Sequence, residues 1–332
     1  CGSATTRSIT RGAVRVSTLL PPTAGSASSG SEATAPAVHA LAAAMRPRAR
    51  LFPPAGGRTL RQLAALSTST ASLNPGTGSF TPGANRYAFG LIARTGGFIY
   101  APTAIYIASS PDAPARGPFL APADSLRVAR EYRSVNDDDD GPFGLKAIYK
   151  TTVPLPRAGV YALLSLTRGP HGLIAGSGEL AVDRSSPIPN VGSRPPDLRT
   201  DTLASVHGDV ALLTTRRPAE DMHALSFDQV LGRRPIALLI STPQLCTSRV
   251  CGPVTDIMVA LQHQYGSRIA FIHQEVFVGN DPARGLRPQL RELHLRTEPW
   301  LFTIDRRGSV AARLDGPFGV VAAREALRAA LR

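Results

Sequence analysis

Apolar positions between residues 51 and 184 fall in short runs separated by turn signals. Residues 87–93, 98–108, 145–153, 160–166 and 173–182 are rich in Val, Ile, Leu, Tyr and Phe, and Asn74-Pro75-Gly76 and Arg157-Ala158-Gly159 punctuate them. Several short strands with such punctuation predict two β-layers packed face to face. Beyond residue 205 the pattern changes. Residues 236–240 are a continuous apolar run suited to a buried strand, and Val254, Ile257, Met258, Leu261 and Tyr265 then recur at helical spacing before Gly266. A second strand over 268–276, a polar loop with the 285–296 segment, a hairpin of 300–304 and 310–314, and a helix over 320–331 complete an alternating α/β unit.

The flanks are different in kind. Residues 1–50 are dominated by Ser, Thr, Ala, Gly and Pro, too poor in apolar surface to offset their ordering entropy, and read as a flexible tether with a short helix near 38–45. Pro187, Pro189, Pro195 and Pro196 mark 185–205 as a linker. The expected organisation is tether 1–50, β-sandwich 51–184, linker 185–205 and α/β domain 206–332.

Composition narrows the setting. No apolar run approaches the roughly 20 residues of a membrane-spanning helix. The net charge of +13 comes almost wholly from scattered arginines, since Lys146 and Lys150 are the two lysines among 37 basic residues. Without a basic block or interleaved aromatics this reads as a bias toward arginine, not a nucleic-acid surface. The first residue is Cys1, and Gly2-Ser3-Ala4-Thr5-Thr6 behind it resembles the tether of bacterial lipoproteins. A lipid on Cys1, an extracytoplasmic setting and attachment to the cell membrane are therefore expected. Of the three cysteines, that leaves Cys246 and Cys251 as a pair.

The pair sits where strand gives way to helix. Gln244-Leu245-Cys246-Thr247-Ser248-Arg249-Val250-Cys251-Gly252-Pro253 follows the 236–240 strand, and Pro253 suits the first helical position because it has no amide hydrogen to leave unpaired. Free amides at a helix start favour thiolate over thiol, and Arg249 could add to this. Residues five apart in a regular helix stand roughly 8–9 Å apart at Cα, too far for a disulfide, so Thr247 to Val250 must form a loop if the sulfurs bond.

This unit resembles a thioredoxin fold, and among its members the TlpA-type lipoproteins of high-GC Gram-positive bacteria. Glu298-Pro299-Trp300-Leu301-Phe302 matches the cis-proline and third strand of that fold, Asp305-Arg306-Arg307-Gly308 its hairpin turn, and Asp315-Gly316 the residues before its last helix. The resemblance covers about 125 residues. It implies an extracytoplasmic thiol–disulfide oxidoreductase needing no cofactor, acting on protein thiols and disulfides. Cys246 and Cys251 would be the redox pair, with Pro299 closing over the sulfurs and Gly252, Pro253, Glu298 and Trp300 in support. Four residues intervene between the cysteines, where thioredoxins have two. Either cysteine can overlie the family's first one. The expected mechanism is exchange through a mixed disulfide, with Cys251 attacking and Cys246 resolving, and the reverse assignment stays open. The Leu155-Pro156-Arg157-Ala158-Gly159-Val160-Tyr161 turn resembles those of immunoglobulin-like extracytoplasmic domains.

Other readings compete with this one. A structural disulfide in a non-enzymatic binding or assembly protein is the principal rival, although a six-residue ring gains little from loop closure. A Sco-like copper site would add His273 or His294 to the cysteines, but His273 and Glu275 share a strand face where a satisfied polar position is expected, and His294 reads as surface. Peroxidase chemistry fits less well, because Thr242 precedes Cys246 by four residues rather than three. Asp221-Met222-His223 reads as a helix-capping aspartate beside a surface histidine. A calcium loop at Asn136–Gly141 fails because Ala147 holds the position where a bidentate glutamate belongs.

Overall fold

The computed structural model describes residues 41–135 and 144–332. Cys1, the tether up to residue 40 and the acidic run after Val135 lie outside the described residues.

A short helix α1 (Leu60–Ala64), opened by a capping box between Thr59 and Gln62, precedes the first strands. These are β1 (Ser67–Pro75), β2 (Gly83–Ala93), β3 (Thr103–Ala108), β4 (Arg116–Leu120), β5 (Ala123–Ser125), β6 (Ala147–Leu155), β7 (Gly159–Gly169) and β8 (Gly172–Val182). Their order is β4-β3-β7-β8-β1-β2-β6-β5. β1 joins two layers, because residues 67–70 run parallel to β8 and residues 71–75 antiparallel to β2. Tyr87, Phe89, Ile105, Ile107, Tyr149, Val153 and Leu163, from strands in both layers, share one core. β1, β4 and β5 escape the hydrophobic pattern for local reasons. β1 is Ser/Thr-rich and buries only Leu73, β4 contains Pro118, and β5 spans three residues.

The second unit is α2 (Phe227–Val230), β9 (Ile236–Ile240), α3 (Cys251–Tyr265), β10 (Ala270–Gln274), α4 (Pro288–Glu292), β11 (Trp300–Ile304), β12 (Val310–Asp315) and α5 (Val320–Ala330). Its sheet has the order β10-β9-β11-β12, with β9 and β10 parallel and β11 antiparallel to both β9 and β12. A strand–helix–strand crossover, then a hairpin and a closing helix in that order, is a thioredoxin-like fold. One face of the sheet, including Leu239 and Leu301, packs against Val254, Ile257 and Leu261 of α3 and Ala322 and Ala326 of α5. The other, including Leu238, Ile240, Trp300 and Phe302, is covered by Phe227, Leu290 and Leu198.

Residues 185–205 connect the two units and are packed despite their prolines. Leu198 and Thr200 are buried. The Gly192 N–H donates to Val310 O and the Val310 N–H to Ser193 O.

The units are also joined by buried polar contacts. The N-cap of α5 is Gly319, which has no side chain to cap the helix. Asp124 of β5 supplies that cap, accepting from the Val321 and Ala322 amides at 2.9 and 2.8 Å, where the positive end of the helix favours a carboxylate. Asp315 accepts from the Gly78 and Ser79 amides, while Arg86 donates to the Asp315 and Pro317 carbonyls. Leu126 enters the α3–α5 core. Gly316 has φ +74°, and a Cβ there would stand 1.9 Å from Gly76 O, so glycine is required where the chains cross.

Candidate functional site

β9 ends at Ile240, and a non-helical turn carries Cys246 to the start of α3, whose first residue is Cys251. The turn is closed by the Arg249 N–H donating to Cys246 O, with Arg249 in the left-handed region at φ 57°. This is the loop that two sulfurs five residues apart require. Cys246 and Cys251 are free thiols, and their sulfurs and a Glu298 carboxylate oxygen all lie within 4.8 Å of one another. Cys246 is 6% exposed and Cys251 fully buried. Pro253 is the third residue of α3 rather than the first. Its missing amide hydrogen costs nothing there either, since the first four amides of a helix have no intrahelical partner.

The two thiols are driven in opposite directions. Cys246 is pulled down to about 6, first by a hydrogen bond from the Cys251 thiol and then by the Ser248 hydroxyl and the Ser248 and Cys251 amides, all of which stabilise its charged form. The Ser248 hydroxyl stands 3.1 Å from the sulfur. Cys251 is raised by its burial and by the neighbouring Cys246 and Glu298. Glu298 is half-buried, and burial followed by the charges of Cys246 and Glu275 pushes its carboxyl up to about 7. The Glu298–Pro299 peptide bond is cis. Leu145, from the β-layered unit, packs against Cys246, Val250 and Cys251, so the first unit forms part of the wall around the sulfurs.

The other residues singled out by sequence lie differently. Arg249 is exposed, and no hydrogen bond or ion pair ties its guanidinium to the sulfurs among the described residues; the depressed Cys246 thiol owes its shift to other donors. Gly252 is the second residue of α3. Trp300 is buried but faces away from α3. It stacks on Phe302 at 5.6 Å, lies under Arg313, and belongs to the opposite face of the sheet. Trp300 therefore packs the core rather than flanking the active turn, because the strand alternation that puts Leu301 against α3 sends its neighbour the other way.

The histidines are not with the sulfurs. His294 is exposed. His273 is buried, with Nδ1 2.5 Å from Glu220 Oε1 and Nε2 2.9 Å from Ser241 Oγ. The same Glu220 oxygen is 2.7 Å from His223 Nε2, and Thr214 donates to the other oxygen. His223, expected at the surface, is thus buried in an ionic cluster. Burial alone would raise Glu220 and lower His273, yet their mutual attraction reverses both: Glu220 lies well below the usual carboxylate range and His273 above the usual imidazole value. Nothing in the sequence brought residue 220 to notice, because its partner is 53 positions away.

No family model matches the chain, and no curated protein matches it. Among solved structures, a crystal structure described as that of a thiol:disulfide interchange protein DsbE from Chlorobium tepidum is similar over 43% of this chain and 99% of that one, at 16% identity and a TM-score of 0.30. At that score the reading of the site rests on the chain's own topology and geometry.

Proposed function

We propose that the protein is an extracytoplasmic thiol–disulfide oxidoreductase whose substrates are protein thiols and disulfides, working through Cys246 and Cys251. The observation that carries this is the meeting of two free sulfurs at the start of α3, beside the Glu298 carboxyl. Cys246 is the attacking sulfur in this reading and Cys251 the resolving one. Cys246 is the more exposed and more acidic of the two, so it carries the larger thiolate fraction near neutral pH. Its thiolate attacks a substrate disulfide, forms a mixed disulfide and releases one substrate thiolate. Cys251 then gives up its proton and attacks Cys246 Sγ, closing the intramolecular disulfide and releasing the second substrate sulfur.

The β-layered unit is read as an immunoglobulin-like sandwich. Its strand order, a first strand shared between the layers, and a corner in which the Tyr161 hydroxyl bonds the backbone of Arg157 support this. Its role is to present Leu145 against the sulfurs and to hold the thioredoxin-like unit in place.

The test is trapping. Cys251→Ser should accumulate a mixed disulfide between Cys246 and a disulfide-bonded peptide, while Cys246→Ser should not, and the unsubstituted protein should catalyse insulin reduction by a dithiol. Absence of both trapping and turnover would favour a structural pair.

A further inference from the structure

The described residues hold two buried clusters rich in potential ligand atoms, Glu220–His223–His273 and Cys246–Cys251–Glu298. In the first, the carboxylate is fully engaged. One carboxylate oxygen is bonded to both imidazoles, Thr214 occupies the other oxygen, and His273 supplies the balancing charge. The second has acidic groups only. Two thiols and a carboxyl converge, Glu275 adds a further negative charge, and among the described residues no hydrogen bond or ion pair occupies the Glu298 carboxylate. Such a group of donors holds either protons or a cation.

The structure assigns Cys246, Cys251 and Glu298 as a three-donor site for a thiophilic divalent cation of the zinc class, available only while the cysteines are reduced. Two thiolates and a carboxylate are zinc donors, and three protein ligands leave a fourth tetrahedral position open. Donor atoms around tetrahedral zinc stand roughly 3.4–3.8 Å apart, within the 4.8 Å that already encloses these three. The surroundings also suit the ligands. Ser248 Oγ stands 3.1 Å from Cys246 Sγ and the Thr242 amide bonds Cys251, the kind of outer hydrogen bonds that hold thiolate ligands in place. Binding releases to solvent whatever protons the three donors still hold, that of the Cys251 thiol above all, and involves no change of oxidation state, so affinity rises with pH. A Cys246–Cys251 disulfide consumes two of the three donors, which makes metal binding and disulfide formation alternative states of one site. The neighbouring histidines take no part, being fixed on Glu220 or exposed.

The inference is independent of turnover, and zinc binding and insulin reduction can therefore fail separately. The full chain, reduced and freed of metal, is titrated with Zn²⁺ against a chromogenic chelator, and with Co²⁺ for sulfur-to-metal charge-transfer bands. One zinc per chain is expected, with cobalt bands, none of it in the disulfide form. Glu298→Gln, which keeps the shape of the side chain, should weaken binding by about tenfold or more. Cys246→Ser and Cys251→Ser should abolish the bands, with circular dichroism verifying the fold. Absence of stoichiometric zinc in the reduced protein would overturn the assignment. So would equal binding by the oxidised protein, or an affinity unchanged in Glu298→Gln.

Discussion

Two ionisable clusters of the second unit, one joining the segment before β9 to β10 and the other gathered around the start of α3, behave oppositely. Around Glu220 the charges cancel, and every shift works toward a fixed ion pair. Around Cys246 they do not. One thiol is lowered, its neighbour is raised, and a carboxyl between them is held near neutrality. The first cluster fixes the segment before β9 to β10, whereas the second keeps groups that exchange protons near pH 7. Burial alone does not separate structure from chemistry; the presence of an internal counter-charge does.

The sharpest way to break this contrast is to remove a sulfur. Cys246→Ser should lower insulin-reducing activity by roughly three orders of magnitude or more, as loss of a nucleophile does, and leave the denaturation midpoint nearly unchanged. Glu220→Gln should do the reverse, costing about 3–5 kcal/mol in urea unfolding because it strands a buried imidazolium. The pH dependence of that loss has a definite sign. The depressed Glu220 contributes stability above its unfolded value of 4.5 that is lost as pH falls, and the raised His273 contributes stability below 6.5 that is lost as pH rises through its folded value. The full penalty therefore appears between about pH 4.5 and 6.5.

Glu298→Gln should act in the opposite direction. A carboxyl raised from 4.5 to about 7 costs stability as pH climbs through that interval, so the amide should stabilise the metal-free reduced protein by about 1–2 kcal/mol at pH 8 and leave it unchanged near pH 4. The smallest effect belongs to the wall. Leu145→Ala, at a half-buried position, should cost under about 1 kcal/mol and speed alkylation of Cys246 several-fold, measured by mass spectrometry.

Much of this was legible in the sequence where local pattern decides. The 236–240 run, the cysteine turn, the periodic helix behind it and the Glu298-Pro299 step fall where the residues placed them, and the runs at 87–93, 160–166 and 173–182 lie within strands. What was not legible depends on partners distant in the chain. His223 looks like surface until His273 and Glu220 are beside it. The side on which Trp300 lands depends on strand register. Leu145 reaches the sulfurs only because Asp124, Arg86 and Asp315 dock one unit on the other. Prolines at 187–196 suggest an open linker, but Leu198 fills a core and Thr200 is held by hydrogen bonds with Ser226 and Phe227.

The central claim, that Cys246 is the acidic, attacking sulfur of a working pair, is tested most directly by alkylating the reduced, metal-free protein across pH and locating the label. Cys246 should modify first, half-maximally near pH 6, with Cys251 untouched until the protein unfolds. Labelling of Cys251 first, or a Cys246 midpoint near the 9 of an ordinary thiol, would contradict it.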